Sequence, residues 1–168
     1  MTNNDILRRI RYTFDYDDAK MIAIFALAKL EVKRGHLVAW LKKEEDPAYQ
    51  ECNDRMLATF LNGLITEKRG KKDGPQAKPE MQLSNNAILM KLKIALNLQA
   101  DDILEILKLA DFQLSAHELS SFFRRPGHKN FRECKDQVLR KFLKGLQLQQ
   151  RAEQPEKKDK PFKWPQRS

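Results

Sequence analysis

An internal duplication constrains the fold of this chain more than any other feature of its sequence. Shifted by 82 residues, the segment 3–64 aligns with the segment 85–146 without a gap, and sixteen of the 62 aligned positions are identical. The stretch YQECNDRMLATFLNGL, which begins at Tyr49, returns as FRECKDQVLRKFLKGL from Phe131. Many of the remaining positions exchange one apolar residue for another. One folding unit therefore occurs twice in the chain.

The duplication and the composition between the copies divide the 168 residues into four parts. We predict a first helical repeat at 1–66, a linker at 67–83, a second helical repeat at 84–150 and a tail at 151–168. The linker contains two glycines, two prolines and many charges, which favours an exposed and flexible connection. The tail is basic, with three prolines and few large apolar residues, so we expect it to be disordered. Because repeats of about 65 residues are close to the lower limit for independent stability, we expect them to pack on each other.

Helical spacing dominates both repeats. Apolar residues recur at the spacing of one helix face, and no alternating segment bounded by hairpin turns competes with them. The sequence predicts an all-α fold with about four helices in each repeat. SAHE, from Ser115 to Glu118, is typical of a capping box at a helix start. Asp54 and Asp136 stand where the fourth helices begin, and N-capping explains them more simply than a role as paired catalytic carboxylates.

Each predicted fourth helix contains a glycine, Gly63 in the first repeat and Gly145 in the second. A glycine inside a helix costs roughly 0.5–1 kcal/mol relative to alanine, so a position repeated twice needs a reason. Close approach of another helix would supply one, and we interpret both glycines as points of packing between the repeats. The alternative is a groove between the repeats in which a helix or peptide of a partner protein docks.

The sequence lacks the patterns of common catalytic and metal sites. Cys52 and Cys134 occupy equivalent positions, and their spacing to His36 and His128 does not match a zinc site. We interpret both cysteines as buried packing residues. Phosphate-binding loops, dinucleotide-binding glycines, zinc-protease motifs and nucleophile elbows are absent. We therefore expect no cofactor, no metal, no catalytic residue and no enzymatic activity.

The chain has no run of about 18 apolar residues and no signal-peptide pattern at its start. Apolar residues make up 41% of the chain, which is enough to form a hydrophobic core. We expect a cytoplasmic protein that does not bind membranes.

The net charge of +9 is concentrated in the second half of the chain. Residues 1–70 carry +1, whereas residues 84–149 carry +4 and residues 150–168 carry +3. Between the apolar positions of the fourth helix, the first copy has Ala58, Thr59 and Asn62 where the second has Arg140, Lys141 and Lys144. At spacing i, i+1 and i+4 these three cations share one helix face, which we expect to be exposed. A loop upstream adds further basic residues: Arg124, Arg125, His128, Lys129 and Arg132.

A basic surface of this kind, with a sequence pI near 9.6, favours binding to the phosphate backbone of nucleic acid. Phe162 and Trp164, among the lysines of the tail, would add base stacking. The simpler alternatives are a charged face that is only solvated and, for Arg124 and Arg125 at the end of the third helix, positive charge that complements the helix dipole. The sequence leaves open whether the partner is RNA, DNA or another protein, and it leaves the oligomeric state open.

The segments NNDILRRIRY at Asn3 and HKNFRECKDQVLRKFLKGL at His128, together with the duplication, resemble the bacterial YehS-like family of uncharacterised proteins. The resemblance covers roughly residues 3–150. It implies a tandem repeat of a small helical domain in a bacterial cytoplasmic protein, and it implies no activity. The sequence thus predicts a non-enzymatic binding protein, with nucleic acid favoured over a protein partner.

Overall fold

The computed structural model describes residues 1–152, which form eight α-helices and no β-strand. The helices of the first repeat are α1 (Asn3–Phe14), α2 (Asp18–Leu27), α3 (Arg34–Leu41) and α4 (Asp54–Arg69). Those of the second repeat are α5 (Asn85–Ala95), α6 (Ala100–Leu109), α7 (Ala116–Ser121) and α8 (Asp136–Ala152). The predicted all-α fold with four helices in each repeat is confirmed. None of these helices is both long enough and apolar enough to cross a membrane.

One continuous core of buried apolar side chains runs through both repeats. Its centre is the apolar stripe of the two longest helices. In α4 the stripe consists of Leu57, Phe60, Leu61 and Leu64, and in α8 of Leu139, Phe142, Leu143 and Leu146, all of them almost fully buried. The predicted packing of the repeats on each other is therefore confirmed, and both long helices contribute to the shared core.

Local signals in the sequence set the helix starts. Ser115 Oγ accepts a hydrogen bond from the Glu118 amide at 3.0 Å, and Glu118 Oε1 accepts one from the Ser115 amide at 3.3 Å, so the predicted capping box of α7 is confirmed. At α4 the N-cap is Asn53, whose Oδ1 accepts a hydrogen bond from the Met56 amide at 2.9 Å. The prediction that Asp54 caps this helix is wrong, because Asp54 is its first helical residue.

Both long helices continue past their predicted ends. α4 reaches Arg69, inside the segment 67–83 that the composition indicates as linker. α8 reaches Ala152, so Arg151 is helical although the sequence places it in the tail. The Arg151 guanidinium lies over the ring of Tyr12, 3.9 Å from the ring centroid, and donates a hydrogen bond to the Tyr12 carbonyl at 2.9 Å. This contact joins the last turn of α8 to α1.

The two repeats pack with a pseudo-two-fold relation. α4 packs against α5, and α1 packs against α8. Because α1 corresponds to α5 and α4 to α8, these are two copies of one contact, as in a symmetric dimer. The correspondence extends to single atoms: the Leu83 amide donates to Asp54 Oδ2 at 2.9 Å, and the amino group of Met1 lies 3.5 Å from Asp136 Oδ2. Each pair of equivalent residues is separated by the same 82 positions.

The two helix glycines permit close crossings within each repeat. A Cβ atom on Gly63 would clash with the carbonyl oxygen of Ile24 in α2 and lie 2.9 Å from its carbonyl carbon. A Cβ atom on Gly145 would meet Ile106 of α6 in the same way, 2.8 Å from its carbonyl carbon. The expected close approach is therefore confirmed. The prediction that these glycines pack between the repeats is wrong, because each pairs helices of one repeat.

We expect Gly63→Ala or Gly145→Ala to lower the free energy of unfolding by about 1–3 kcal/mol, measured by urea denaturation. Alanine improves helix propensity by up to about 1 kcal/mol, but its Cβ can be accommodated only if two backbones separate. Gly35→Ala in α3 is the matched control, because nothing lies within 4 Å of its added Cβ. The free energy of unfolding of that variant should be unchanged or slightly higher. Equal effects at all three glycines would contradict the crossing.

Candidate functional site

A buried asparagine amide fixes the loop that carries many of the predicted binding residues. Asn86, the second residue of α5, donates from Nδ2 to the carbonyl oxygens of Phe122 at 3.0 Å and Arg132 at 2.8 Å. Its Oδ1 accepts a hydrogen bond from the Cys134 amide at 2.9 Å. In the first repeat Asn4 makes the corresponding hydrogen bonds with Trp40, Gln50 and Cys52. A neutral amide that both donates and accepts thus closes the long loop in each repeat.

The neighbouring asparagine ties the first helix of each repeat to the start of the fourth. Asn85 Nδ2 donates to Asp136 Oδ1 at 2.7 Å, and Asn3 Nδ2 donates to Asp54 Oδ1 at 2.8 Å. The hydrogen bond from Asn85, assisted by the positive charge of the Met1 amino group, lowers the pKa of Asp136. Each aspartate therefore accepts one hydrogen bond inside its own repeat and faces a backbone nitrogen just before the first helix of the other. This structural role accounts for both carboxylates.

Asn86→Asp tests the role of the amide with almost no change in size. Aspartate loses the two Nδ2 donors and places a carboxylate against two carbonyl oxygens, so we expect the free energy of unfolding to fall by about 2–4 kcal/mol at pH 7. The control is Asn130→Asp, an exposed position in the same loop with the same change of charge. The free energy of unfolding of this control should stay within about 0.5 kcal/mol of that of the parent protein. Similar losses for both variants would show that the charge, and not the amide, matters.

The loop between α7 and α8 presents four of the predicted cations. Arg124, Arg125, Lys129 and Arg132 are all exposed. The loop turns back on itself: the His128 amide donates to the Arg125 carbonyl at 3.0 Å, and the Arg132 amide donates to the Ser121 carbonyl at 3.1 Å. With Asn86 holding its two ends, the backbone of this loop is closely defined while its basic side chains point to solvent.

The other three predicted cations follow on α8. Arg140 and Lys144 are exposed, whereas Lys141 is half-buried, so the three do not share a fully exposed face as the helical spacing predicts. No hydrogen bond or ion pair within residues 1–152 joins this helix face to the loop cations. The structure therefore places the seven cations in two neighbouring groups along the chain and does not bring them into direct contact.

The equivalent positions of the first repeat are covered. Ala58 and Thr59 are buried, with exposed fractions of 0% and 5%, although Arg140 at the position of Ala58 is exposed. Asn62 is half-buried and accepts a hydrogen bond on Oδ1 from Lys91 Nζ at 2.6 Å. The two copies therefore differ in which surfaces are accessible as well as in charge.

Arg9 is a further cation on α1, the helix that packs against α8, and the sequence predictions do not include it. Arg9 corresponds to Lys91, and Lys144 corresponds to Asn62. Lys91 contacts Asn62 across the α4–α5 packing, whereas Arg9 is half-buried on α1, the helix that packs against α8. The alignment of the repeats shows that Arg9 is equivalent to Lys91, but the helix that Arg9 faces can be inferred only when the pairing of the helices is known.

The two cysteines are buried and unreactive at neutral pH. Burial, reinforced by the Asp54 carboxylate, raises the pKa of Cys52 to about 12, and burial with Asp136 raises the pKa of Cys134 to about 11. Both thiols are therefore protonated at neutral pH and are poor nucleophiles. Across residues 1–152, no three His, Cys, Asp or Glu side chains are arranged to hold a metal ion. Phe162 and Trp164, the predicted stacking residues, lie outside the described residues.

A cavity of about 470 Å³ lies between the repeats on the side of the linker. Its walls come from α4, from α5 and from linker residues 70–77, and they include the apolar side chains of Ile65, Met90 and Ile94. Ile94 is 41% exposed. This is where the structure places a groove between the repeats.

Both halves of the described fold match one family of sequences. The family is described as a protein of unknown function, DUF1456, and the match occurs twice, over residues 3–70 and residues 85–152. The chain belongs to the DUF1456 family. It is also 46% identical over 151 residues to the uncharacterized protein YehS of Escherichia coli (strain K12), which covers 89% of this chain and 97% of YehS. No solved structure matches the chain.

The family match confirms the tandem organisation and the resemblance to YehS-like proteins. Each DUF1456 unit begins at the asparagine doublet and ends with the fourth helix, so it contains α1–α4 or α5–α8 in full. The structural asparagines, the buried cysteine and the helix glycine therefore all belong to the DUF1456 unit. The cationic substitutions distinguish the second unit of this chain from the first.

Proposed function

We propose that this DUF1456 protein is a non-enzymatic nucleic-acid-binding protein that holds RNA or DNA by its phosphates. The contact surface, which we name the basic face, consists of Arg124, Arg125, Lys129, Arg132, Arg140, Lys141 and Lys144. The observation that carries the proposal is that, within residues 1–152, none of these cations forms an ion pair with a carboxylate. Their charges are therefore available to an external anion.

The loss of acidic residues from the second loop supports this proposal. In the first repeat Lys42 follows α3 and lies 3.7 Å from Asp46. The acidic run of that loop is Glu44, Glu45 and Asp46, and the corresponding residues of the second repeat are Pro126, Gly127 and His128. The second loop thus keeps and extends its positive charge but has no acid between Arg124 and Arg132.

Compensation of helix dipoles explains Arg124 and Arg125 but does not account for Arg140 and Lys141. The macrodipole favours positive charge at the end of a helix and opposes it near the start. Arg124 and Arg125 follow the end of α7 at Ser121, whereas Arg140 and Lys141 lie in the first half of α8. A contact with phosphates would give the two positions in α8 a function that the helix itself does not need.

Binding through phosphates should depend strongly on salt, because each neutralised phosphate releases condensed counterions. Seven contacts to a single strand would give a slope of about −5 in a plot of log affinity against log salt concentration. Phe162 and Trp164 in the tail would add base stacking, at about 1–3 kcal/mol for each stacked base.

Grafting the residues of the first repeat onto α8 tests the proposal. In the variant Arg140→Ala, Lys141→Thr, Lys144→Asn, we expect weaker binding of mixed RNA and DNA oligonucleotides at about 50 mM salt and a salt slope less steep by about 2, measured by fluorescence anisotropy. The grafted residues already occur at equivalent positions of this fold, so the variant should remain folded.

The control removes three exposed cations elsewhere, in Lys33→Ala, Arg55→Ala, Lys108→Ala. It has the same net charge as the graft and should bind as the parent protein does. If neither RNA nor DNA binds the parent protein at low salt, the proposed function is wrong. An equal loss of binding affinity in both variants would indicate that binding depends on net charge and not on the basic face.

The cavity between the repeats favours a second candidate function, an adaptor that docks a peptide of a partner protein. Apolar anchors are what peptide grooves use, and Ile65, Met90 and Ile94 provide them beside the linker. A partner held here would be recovered by affinity purification after nuclease treatment, and Ile94→Asp should abolish its recovery. The graft on α8 should leave this recovery unchanged. Loss of all recovered protein with nuclease would exclude the adaptor and favour nucleic-acid binding.

A further inference from the structure

A small cavity of about 230 Å³ lies in the second repeat, where the end of α5, the start of α6 and the end of α7 meet. Its lining consists of two cations, an aromatic ring, three small or apolar residues and no acid: Lys93, Ala100, Leu119, Ser120, Phe123 and Arg124. Pockets that enclose a whole small molecule usually measure about 300–1,000 Å³. The cavity therefore has room for one group of a longer molecule.

The aromatic ring and one cation of the cavity lie close together. Lys93 is half-buried on α5, and its Nζ lies 5.7 Å from the centroid of the Phe123 ring. Arg124, the next residue along the chain, is exposed and belongs to the basic face. Within residues 1–152 neither cation forms an ion pair with a carboxylate. The cavity therefore shares one cation with the basic face and adds a second cation and a ring.

In the first repeat a carboxylate of the protein itself holds the corresponding cation. Arg11 is the equivalent of Lys93. Its guanidinium lies 3.6 Å from Asp18 Oδ1, and the guanidinium of Arg34 lies 3.3 Å from Asp18 Oδ2. The second repeat has Ala100 in place of this aspartate. A cation that pairs with an internal anion in one copy is thus available to an external anion in the other.

Arg124 lacks an acidic partner for the same reason. The equivalent Lys42 lies 3.7 Å from Asp46 in the first repeat, and His128 takes the place of that aspartate in the second. Both cations of the cavity therefore correspond to cations that are paired in the first repeat.

The acidic residues at the neighbouring helix starts do not line the cavity. Asp101 and Asp102 lie in the first turn of α6, and Glu118 lies in the first turn of α7. Asp102 Oδ2 accepts a hydrogen bond from the Gln99 amide at 2.7 Å. Glu118 accepts the capping hydrogen bond described above, and Asp101 is exposed. The lining of the cavity itself therefore keeps its positive charge.

A ring beside two unpaired cations is suited to bind one nucleotide. Positive charge at the ends of α5 and α7 complements the helix dipoles, which accounts for the cations alone. The dipole gives no reason for the loss of both acidic partners or for Phe123, which replaces Leu41 of the first repeat. Aromatic side chains stack with unpaired bases, and cations bind the phosphates beside them. Because a duplex keeps its bases stacked and paired, a single strand is the form that can supply such a base.

We propose that this cavity receives one unpaired nucleotide of a bound single strand, with its base against Phe123 and its phosphate between Lys93 and Arg124. This inference rests on the proposed function and deepens it, because it names the form of nucleic acid that is bound. It also extends the contact surface from α8 and the loop before it to the end of α5.

Phe123→Leu in the full-length protein installs the residue of the first repeat and tests the base contact. We expect oligo(dT) to bind about fivefold more weakly with an unchanged salt slope, because stacking releases no counterions. An abasic strand of equal length and charge should bind the variant and the parent protein equally. Phe123→Tyr keeps the ring and should retain the affinity for oligo(dT). Fluorescence anisotropy measures binding, and circular dichroism melting curves establish that each variant is folded.

Ala100→Asp restores the carboxylate of the first repeat beside Lys93 and tests the phosphate contact. We expect oligo(dT) to bind roughly fivefold more weakly at about 50 mM salt, with a salt slope less steep by about 0.7, which corresponds to one phosphate contact. The matched control is Ala19→Asp, which gives the first repeat the residue that the second has at Asp101. Both variants gain one carboxylate in the first turn of the second helix of a repeat. The control should bind as the parent protein does.

The outcomes separate this inference from the proposed function. If the α8 graft weakens binding but Phe123→Leu and Ala100→Asp do not, the protein binds nucleic acid and the cavity assignment is wrong. Equal losses of affinity for oligo(dT) and for the abasic strand in Phe123→Leu would overturn the base contact. Equal losses in Ala100→Asp and Ala19→Asp would overturn the phosphate contact. Absence of any binding by the parent protein at low salt would overturn the proposed function itself.

Discussion

The fold depends on a buried asparagine amide that occurs once in each repeat. Asn4 and Asn86 each join the start of one helix to three backbone groups of a distant loop, and so determine where the fourth helix of the repeat begins. Asparagine suits the position because a neutral amide both donates and accepts, whereas aspartate only accepts and glutamine is longer. This attachment fixes the loop. The loop in turn positions its exposed cations, the buried cysteine and the aspartate at the start of the fourth helix.

Symmetry then converts two small units into one core. Because α4 packs on α5 and α1 on α8, the first and fourth helices of each repeat are buried in part by the other repeat. Helix crossings at Gly63 and Gly145 attach α2 and α6 to the outside of this four-helix centre. A cavity or displaced helix in one repeat would therefore disturb the other, and we expect the two to unfold together.

Sequence reasoning predicted what is encoded locally. Helix content, the duplicated apolar stripe and the capping box at Ser115 all depend on residues within one or two helical turns. The partners of Asn86 are 36 to 48 residues away, so its identity in both copies could be seen but its role could not. The burial of Ala58, against the exposure of Arg140, depends on the path of the linker, which composition does not specify.

The connection between the repeats has a topological consequence. A segment that joins two halves related by a two-fold axis must leave the end of one half and enter the beginning of the other, so it cannot itself obey that symmetry. Here it returns along α4 and forms one wall of the cavity on that side. A dimer of separate repeats would have two identical surfaces at these positions, whereas in the fused chain the linker covers one of them. Fusion is thus sufficient to make the surfaces of the two halves unequal, even before any surface residue changes.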